Sequence, residues 1–230
     1  MRVSFTEQQV LGQCDSHLFQ LNEQTAIHQA IKNDWLELTQ AARHDGIDIE
    51  IVSGFRSFSH QLLIWNNKAL GKRPLKNRNN QSVDAHTLNP QQLLDCILTW
   101  SALPGASRHH WGTDIDVYSP SMLSIDQLQL EPWEYQANGP MALLGQWLRE
   151  NSHHHGFFMP YNLDRGGVAI EPWHLSHIST AQVAADKLTR AMLYKAINHS
   201  DIELKTQILA NIEEIMSQYV FNIAEPEVIV

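Results

Sequence analysis

The chain has 230 residues, 43% of them hydrophobic and 18% charged, which is enough apolar material for one sizeable core and a small appendage. Its formal charge of −9, with no dense run of Lys or Arg, speaks against a nucleic-acid backbone or an anionic membrane surface as partner. The two distant cysteines, Cys14 and Cys96, argue for neither a disulfide framework nor a thiolate metal cluster and read as core fillers. No stretch approaches the roughly 20 apolar residues of a membrane span. The opening "MRVSFTEQQVLGQ" lacks the apolar run of a signal peptide, so the expected compartment is the cytoplasm, or the periplasm if a leader has been removed. Thirteen histidines raise the expectation of metal chemistry without locating it.

Residues 25–44 predict a helix, because Ile27, Ala30, Ile31, Trp35, Leu38 and Ala42 recur at three- and four-residue intervals, and Gly46 stands where a C-cap glycine would. "IDIEIVS", 47–53, alternates and predicts a strand. The segment 55–70 gains a helical rhythm in its second half through Leu62, Leu63, Trp65 and Leu70. Residues 71–90, rich in Asn, Lys and Arg, read as a long loop or flap. "PQQLLDCILTWSAL" predicts a helix with Pro90 in its first turn. Gly112 offers a turn into "TDIDVY", an alternating strand. Residues 139–150 predict a helix with Met141, Leu144, Trp147 and Leu148 on one face, and "GVAIEPWHLSH" an extended segment up to its proline. "SHHHGFF", 152–158, reads as a solvated loop with one histidine turned to the cleft, since three adjacent histidines cannot share one face. Past residue 180, "TAQVAADKLTRAMLYKAIN" and "DIELKTQILANIEEIMSQYV" predict two helices forming a hairpin on the main domain, the second opening on a capping box between Ser200 and Glu203.

Chemistry concentrates in three places. In "SRHHWGTDIDVY", 107–118, Asp114 and Asp116 share one face of a strand and Ile115 and Val117 the other. Two carboxylates on one face are unfavourable unless a cation or solvent compensates them, so this is either part of a metal site or a solvated edge strand with incidental histidines. In "EPWH", 171–174, Pro172 biases Glu171 away from helix, which separates the motif from the helical His-Glu-x-x-His arrangement. Glu171 and His174 reach one centre only if the chain bends near Pro172–Trp173; the alternative is a turn with a satisfied histidine. In "SGFRSFSHQ", 53–61, Arg56 follows a strand end and either meets a carboxylate or developing oxyanion in a cleft or forms a surface ion pair.

In this order, Ser-Gly-x-Arg-Ser-x-x-x-Gln, then Ser-x-His with an aspartate seven residues after the histidine, then Glu-Pro-Trp-His, the chain resembles the LAS family of zinc peptidases. Its nearest branch is the VanY-like carboxypeptidases of bacterial cell-wall metabolism, over residues 25–180. The resemblance implies an α+β fold: a small antiparallel sheet carrying a zinc cleft and flanked by helices, with a peptidase domain at 1–180 and the helical hairpin at 181–230. It implies Zn²⁺ held by His109, Asp116 and His174, which leaves a fourth position open for water, as catalytic sites do. It makes Glu171 the catalytic base and puts Arg56 beside the substrate carbonyl or carboxylate. Gln61 and Ser107 then help hold the terminal carboxylate, and His110 becomes a neighbour rather than a ligand. Asp114 departs from the family pattern, where a small residue is usual; it either supports a ligating histidine or shifts substrate preference. His177 is a second departure, and Trp111, Trp173 and Phe157 either line the cleft or pack in the core.

The implied activity is removal of the terminal D-amino acid from a peptidoglycan stem peptide, by D,D- or L,D-cleavage. Two other readings are an endopeptidase and a metal-containing binding module without turnover; the presence of both Glu171 and Arg56 speaks against the second. The implied partner is a peptidoglycan-derived peptide, with no nucleic acid and no membrane span, and the oligomeric state is left open.

Overall fold

The computed structural model describes residues 3–226. A short α1 (Glu7–Val10) leads into a hairpin of β1 (Leu18–Gln20) and β2 (Ala26–His28), then α2 (Lys32–His44), β3 (Glu50–Ser53) and α3 (Phe58–Ala69). A second hairpin, β4 (Leu75–Lys76) and β5 (Ser82–Val83), precedes α4 (Pro90–Trp100), β6 (Asp114–Tyr118), α5 (Ala142–Asn151), β7 (Phe157–Phe158) and β8 (His174–His177). The chain continues through α6 (Ile178–Lys187), α7 (Arg190–Asn198), α8 (Lys205–Ala210) and α9 (Ile212–Ile215). This is an α+β architecture around an antiparallel four-stranded sheet of order β3-β6-β8-β7.

The alternation in β6 decides how the layers form. Ile115 and Val117, with Leu175 of β8 and Phe157 of β7, bury against Trp35, Leu38 and Ala42 of α2 and Leu144, Trp147 and Leu148 of α5. Asp114 and Asp116 therefore face the other way, beside Ser176 and His174, their direct neighbours on β8. A second apolar core lies among α1, α3, α4 and the C-terminal helices, through Val10, Trp65, Leu94, Ile97, Leu193, Ile197, Ile208 and Ile212. The Trp65 indole donates to the Glu203 carbonyl at 3.1 Å, so α3 is backed by the end of the chain.

Local chemistry sets the boundaries. Gly46, at φ +80°, ends α2. Asn89 and Gln92 close a capping box ahead of α4 with Pro90 in its first turn. Several elements differ from their sequence-based expectation. Residues 26–28 pair with β1 before a short 3₁₀ turn, and the helix starts only at Lys32. The segment 71–90 carries the β4–β5 hairpin. The extended stretch predicted up to Pro172 forms no strand there; β8 begins beyond the proline. Residues Ser152–His155 form a 3₁₀ turn whose three histidines stay outside the cleft, and Phe157–Phe158 join the sheet. The two terminal helices are each subdivided, the first at Leu188–Thr189. The Ser200–Glu203 capping box is not made: Ser200 Oγ donates back to the Ile197 carbonyl, and α8 starts after Leu204 without a side-chain cap.

Candidate active site

Three short elements bring the polar residues together. The 3₁₀ turn Arg108–Trp111 closes at Gly112 with φ +68°, where a Cβ would come within 2.8 Å of the His28 backbone nitrogen. That turn sets His109 over β6. On β8, His174 lies directly opposite Asp116. Ahead of it the chain bends at Pro172–Trp173, the His174 amide donating to the Glu171 carbonyl at 3.1 Å, while the Glu171 amide donates to the Tyr161 carbonyl at 3.1 Å. Glu171 and His174 thereby point into one cleft, with Glu171 Oε2 3.4 Å from His174 Nδ1.

His109, Asp116 and His174 offer ligand atoms that all lie within 4.8 Å of one another. His109 Nε2 is 3.3 Å from Asp116 Oδ2, and His174 Nδ1 is 3.1 Å from Asp116 Oδ1. Ligands at ~2.0–2.2 Å around a tetrahedral ion are about 3.3–3.5 Å apart, so the spacing suits a common cation. Among the described residues, Asp116 Oδ1 and His174 Nδ1 are buried with no hydrogen-bond partner, although they face each other; a cation that displaced the His174 proton would find a lone pair on each. The remaining nitrogens are anchored: His109 Nδ1 to the Gly54 carbonyl at 3.0 Å and His174 Nε2 to Asp114 Oδ1 at 3.0 Å. Donation through these anchored nitrogens would leave the other nitrogen of each ring available to a cation. The donor set, two imidazoles and a carboxylate, fits zinc.

The electrostatics carry the same sense. Burial opposes ionisation of Asp116, but His109 and His174 outweigh it and hold its carboxyl far below the usual range. Burial likewise opposes a charge on His174, yet Asp114, Asp116 and Glu171 together raise its pKa well above that of an ordinary histidine when no cation is bound. Asp114 is itself buried and kept ionised by Arg108, whose Nε donates to Oδ1 at 2.7 Å, and by His174; Thr113 Oγ1 donates to Oδ2. Arg108 also donates to Ser176 Oγ at 2.6 Å.

Around this centre Arg56 donates to Ser53 Oγ and Gln61 Oε1, at 2.8 and 3.0 Å. Gln61 is fully buried and donates to the Ala102 carbonyl, so it braces Arg56 from behind and does not line the cleft. Ser107 does line it, with a buried hydroxyl that has no partner. His110 faces away: its Nδ1 donates to the Arg56 carbonyl at 2.6 Å, its Nε2 accepts from the Gly105 amide, and burial lowers its pKa to about 3. His177 caps α6 and pairs with Asp34 at 2.7 Å, outside the cleft. Trp111 and Phe157 are core residues, whereas Trp173 is both core and cleft wall. The cleft encloses about 420 Å³, and the segment leading into β4 forms part of its rim.

Sequence reasoning passed over Arg108 and Tyr161. Asp114 carried the signal for the first, because a buried extra carboxylate requires a cation. Nothing in the sequence marked Tyr161, whose ring edge meets His174 at a centroid distance of 5.0 Å.

Comparison with known proteins gives one family. The VanY family model, D-alanyl-D-alanine carboxypeptidase, matches residues 24–180. An uncharacterized protein of Haemophilus influenzae is 36% identical over 53% of this chain and 95% of its own length. A D-alanyl-D-alanine carboxypeptidase of Enterococcus faecalis is 27% identical over 73% of this chain and 54% of its own. Among solved structures, a mutant of the vancomycin-resistance D,D-pentapeptidase VanY in complex with Zn(II) superposes with a TM-score of 0.52 at 25% identity, covering 83% of this chain and 88% of that one. The LD-carboxypeptidase LdcB shares the fold, with a TM-score of 0.51 at 22% identity over 78% of each chain.

Proposed function

The chain belongs to the VanY family of D-alanyl-D-alanine carboxypeptidases, and from that premise we propose that it is a zinc-dependent enzyme releasing the terminal D-alanine from a peptidoglycan stem peptide. The reading is carried by one observation: two imidazoles and a carboxylate meet with unpartnered lone pairs beside Glu171, inside a cleft. His109, Asp116 and His174 would hold the ion; that the VanY neighbour is a Zn(II) complex supports the choice of metal.

Zinc held by those three residues would supply an acidified water, its pKa lowered from 15.7 to about 7, and a Lewis acid for the scissile carbonyl. Glu171 accepts the proton of the attacking water and returns it to the leaving amine, a role worth about 10²–10⁴ in rate. Arg56, its planar fork fixed by Ser53 and Gln61, would stabilise the oxygen that becomes negative. The Ser107 hydroxyl donates to the free carboxylate that distinguishes a carboxypeptidase substrate. Asp114 and the Gly54 carbonyl keep the two histidines in the ligating tautomer.

Mass spectrometry of products from a D-alanyl-D-alanine pentapeptide, its C-terminally amidated form and a tetrapeptide tests this. The zinc-loaded protein should shorten the free pentapeptide by one D-alanine. Glu171→Ala should lose about 10²–10⁴ of that rate while keeping its metal. Cutting of the amidated peptide would make it an endopeptidase, attack on the tetrapeptide alone an L,D-enzyme, and equal negligible product from both proteins a binding module.

A further inference from the structure

The chain is acidic overall, at −9, but one wall of its cleft is not. Lys68 lies on α3 seven residues after Gln61, which puts both on one helix face, and donates from the cleft wall to Ser101 Oγ at 2.7 Å. Arg73, just ahead of β4, and Lys76, within it, line the same cleft. Lys76 is neutralised by Glu131, which also accepts from Asn80. Lys68 and Arg73 are left over: among the described residues, neither has a carboxylate within 4.0 Å. Withdrawing an ammonium from water without a counter-ion is unfavourable. Burial accordingly pulls the Lys68 pKa down to about 8, against the pull of Glu171 and with the push of Arg73, so the group is still mostly charged at neutral pH.

Lys68 is half-buried and Arg73 exposed beside it, so an anion entering the cleft supplies the counter-charge that Lys68 lacks and meets a second cation at the rim. Its position along the substrate follows from the helix. Gln61 holds Arg56, and a seven-residue step at 1.5 Å per residue sets Lys68 about 10 Å farther along α3, roughly three residues of extended peptide. A carboxypeptidase substrate ends one residue past the scissile bond. Lys68 and Arg73 share the cleft with Arg56 but take no part in its contacts, so the part of the peptide ahead of the bond is what remains to meet them.

We propose that Lys68 and Arg73 form an anion-reading wall that binds a second carboxylate, on a side chain ahead of the scissile bond, so that the enzyme selects acidic stem peptides over their amidated counterparts. This rests on the carboxypeptidase reading above and deepens it by naming the substrate class.

Two peptides test it, both ending in D-alanyl-D-alanine with a free carboxylate and differing only in glutamate or glutamine at the second and third positions before the scissile bond. The zinc-loaded protein should favour the glutamate peptide about tenfold in kcat/KM, less so at high salt. Lys68→Met and Arg73→Gln should each bring that ratio toward one, and Lys68→Arg should keep it. A ratio near one in the wild type overturns the proposal, and so does a ratio unmoved by both neutral substitutions, which is also the result if Lys68 binds the terminal carboxylate. Calorimetry of the same pair on the Glu171→Ala protein reads the preference without turnover. A tenfold binding preference with no product from the wild type upholds the wall and sinks the carboxypeptidase reading; turnover with no preference does the reverse.

Discussion

Asp114 is the residue on which the site's stability and its chemistry meet. It accepts from the His174 ring, from Arg108 and from Thr113 while fully buried. Asp114→Asn keeps the shape but removes the charge that orients the ligating imidazole and neutralises Arg108. Metal affinity should fall about 10–100-fold, measured by competition with a chromophoric chelator. Breaking the buried ion pair should also cost about 3–5 kcal/mol of stability. Adding Arg108→Met should recover part of the stability and none of the affinity. Unchanged zinc affinity in Asp114→Asn would remove the aspartate from the site's design. The meeting of His109, Asp116 and His174 was legible in the sequence through the spacing and order of their motifs. The roles of Gln61 and His110 were not, because each depends on where a distant backbone carbonyl lies: Ala102 for Gln61 and Arg56 for His110. Gly12 shows the same limit. At φ +71° it passes so close to His110 that a Cβ would lie 2.4 Å from Nδ1, and no local pattern announces that approach.

Among the elements, α3 joins the cleft to the second core. Gln61, Trp65 and Lys68 follow one another along one stretch of its surface: Gln61 accepts from Arg56, Lys68 lines the cleft, and Trp65 between them is buried against the C-terminal helices. Ile208 of α8 is fully buried in that second core. Ile208→Ala should destabilise the protein by about 2–5 kcal/mol in urea titrations, although the residue lies outside the matched span 24–180. A change under about 0.5 kcal/mol, the range of neutral surface sites, would show that α8 does not support α3. Long amphipathic helices were legible from their spacing; short strands were not. Ile27 fitted the helical period of α2, yet it is buried through pairing with Phe19 in a three-residue hairpin arm too short to show alternation. The break at Leu188–Thr189 carries no Gly or Pro, and only Thr189 capping the Met192 amide marks it.

The molecule as a whole responds to acid through its buried histidines. His110 and His28 are held neutral, chiefly by burial, with pKa values of about 3 and about 4; His17 is shifted the same way. The unfolded chain protonates these rings first, near 6.5, so the stability they confer is complete above that value and drains away as pH falls toward 4. His174, raised instead, contributes fully throughout that window, and the depressed carboxylates of Asp114 and Asp116 lose their contribution only below about 3.8. With chelator present, the melting temperature should therefore fall between pH 6.5 and 4.5. A flat profile would mean that these rings are solvated. Synthesis order adds a consequence of the Trp65–Glu203 contact. His109, Asp116 and His174 all precede Glu203 in the chain, so synthesis completes that cluster before it reaches the residue that braces α3. A chain stalled short of Glu203 would hold that whole cluster yet lack the contact that backs α3, the helix that carries Gln61 beneath Arg56.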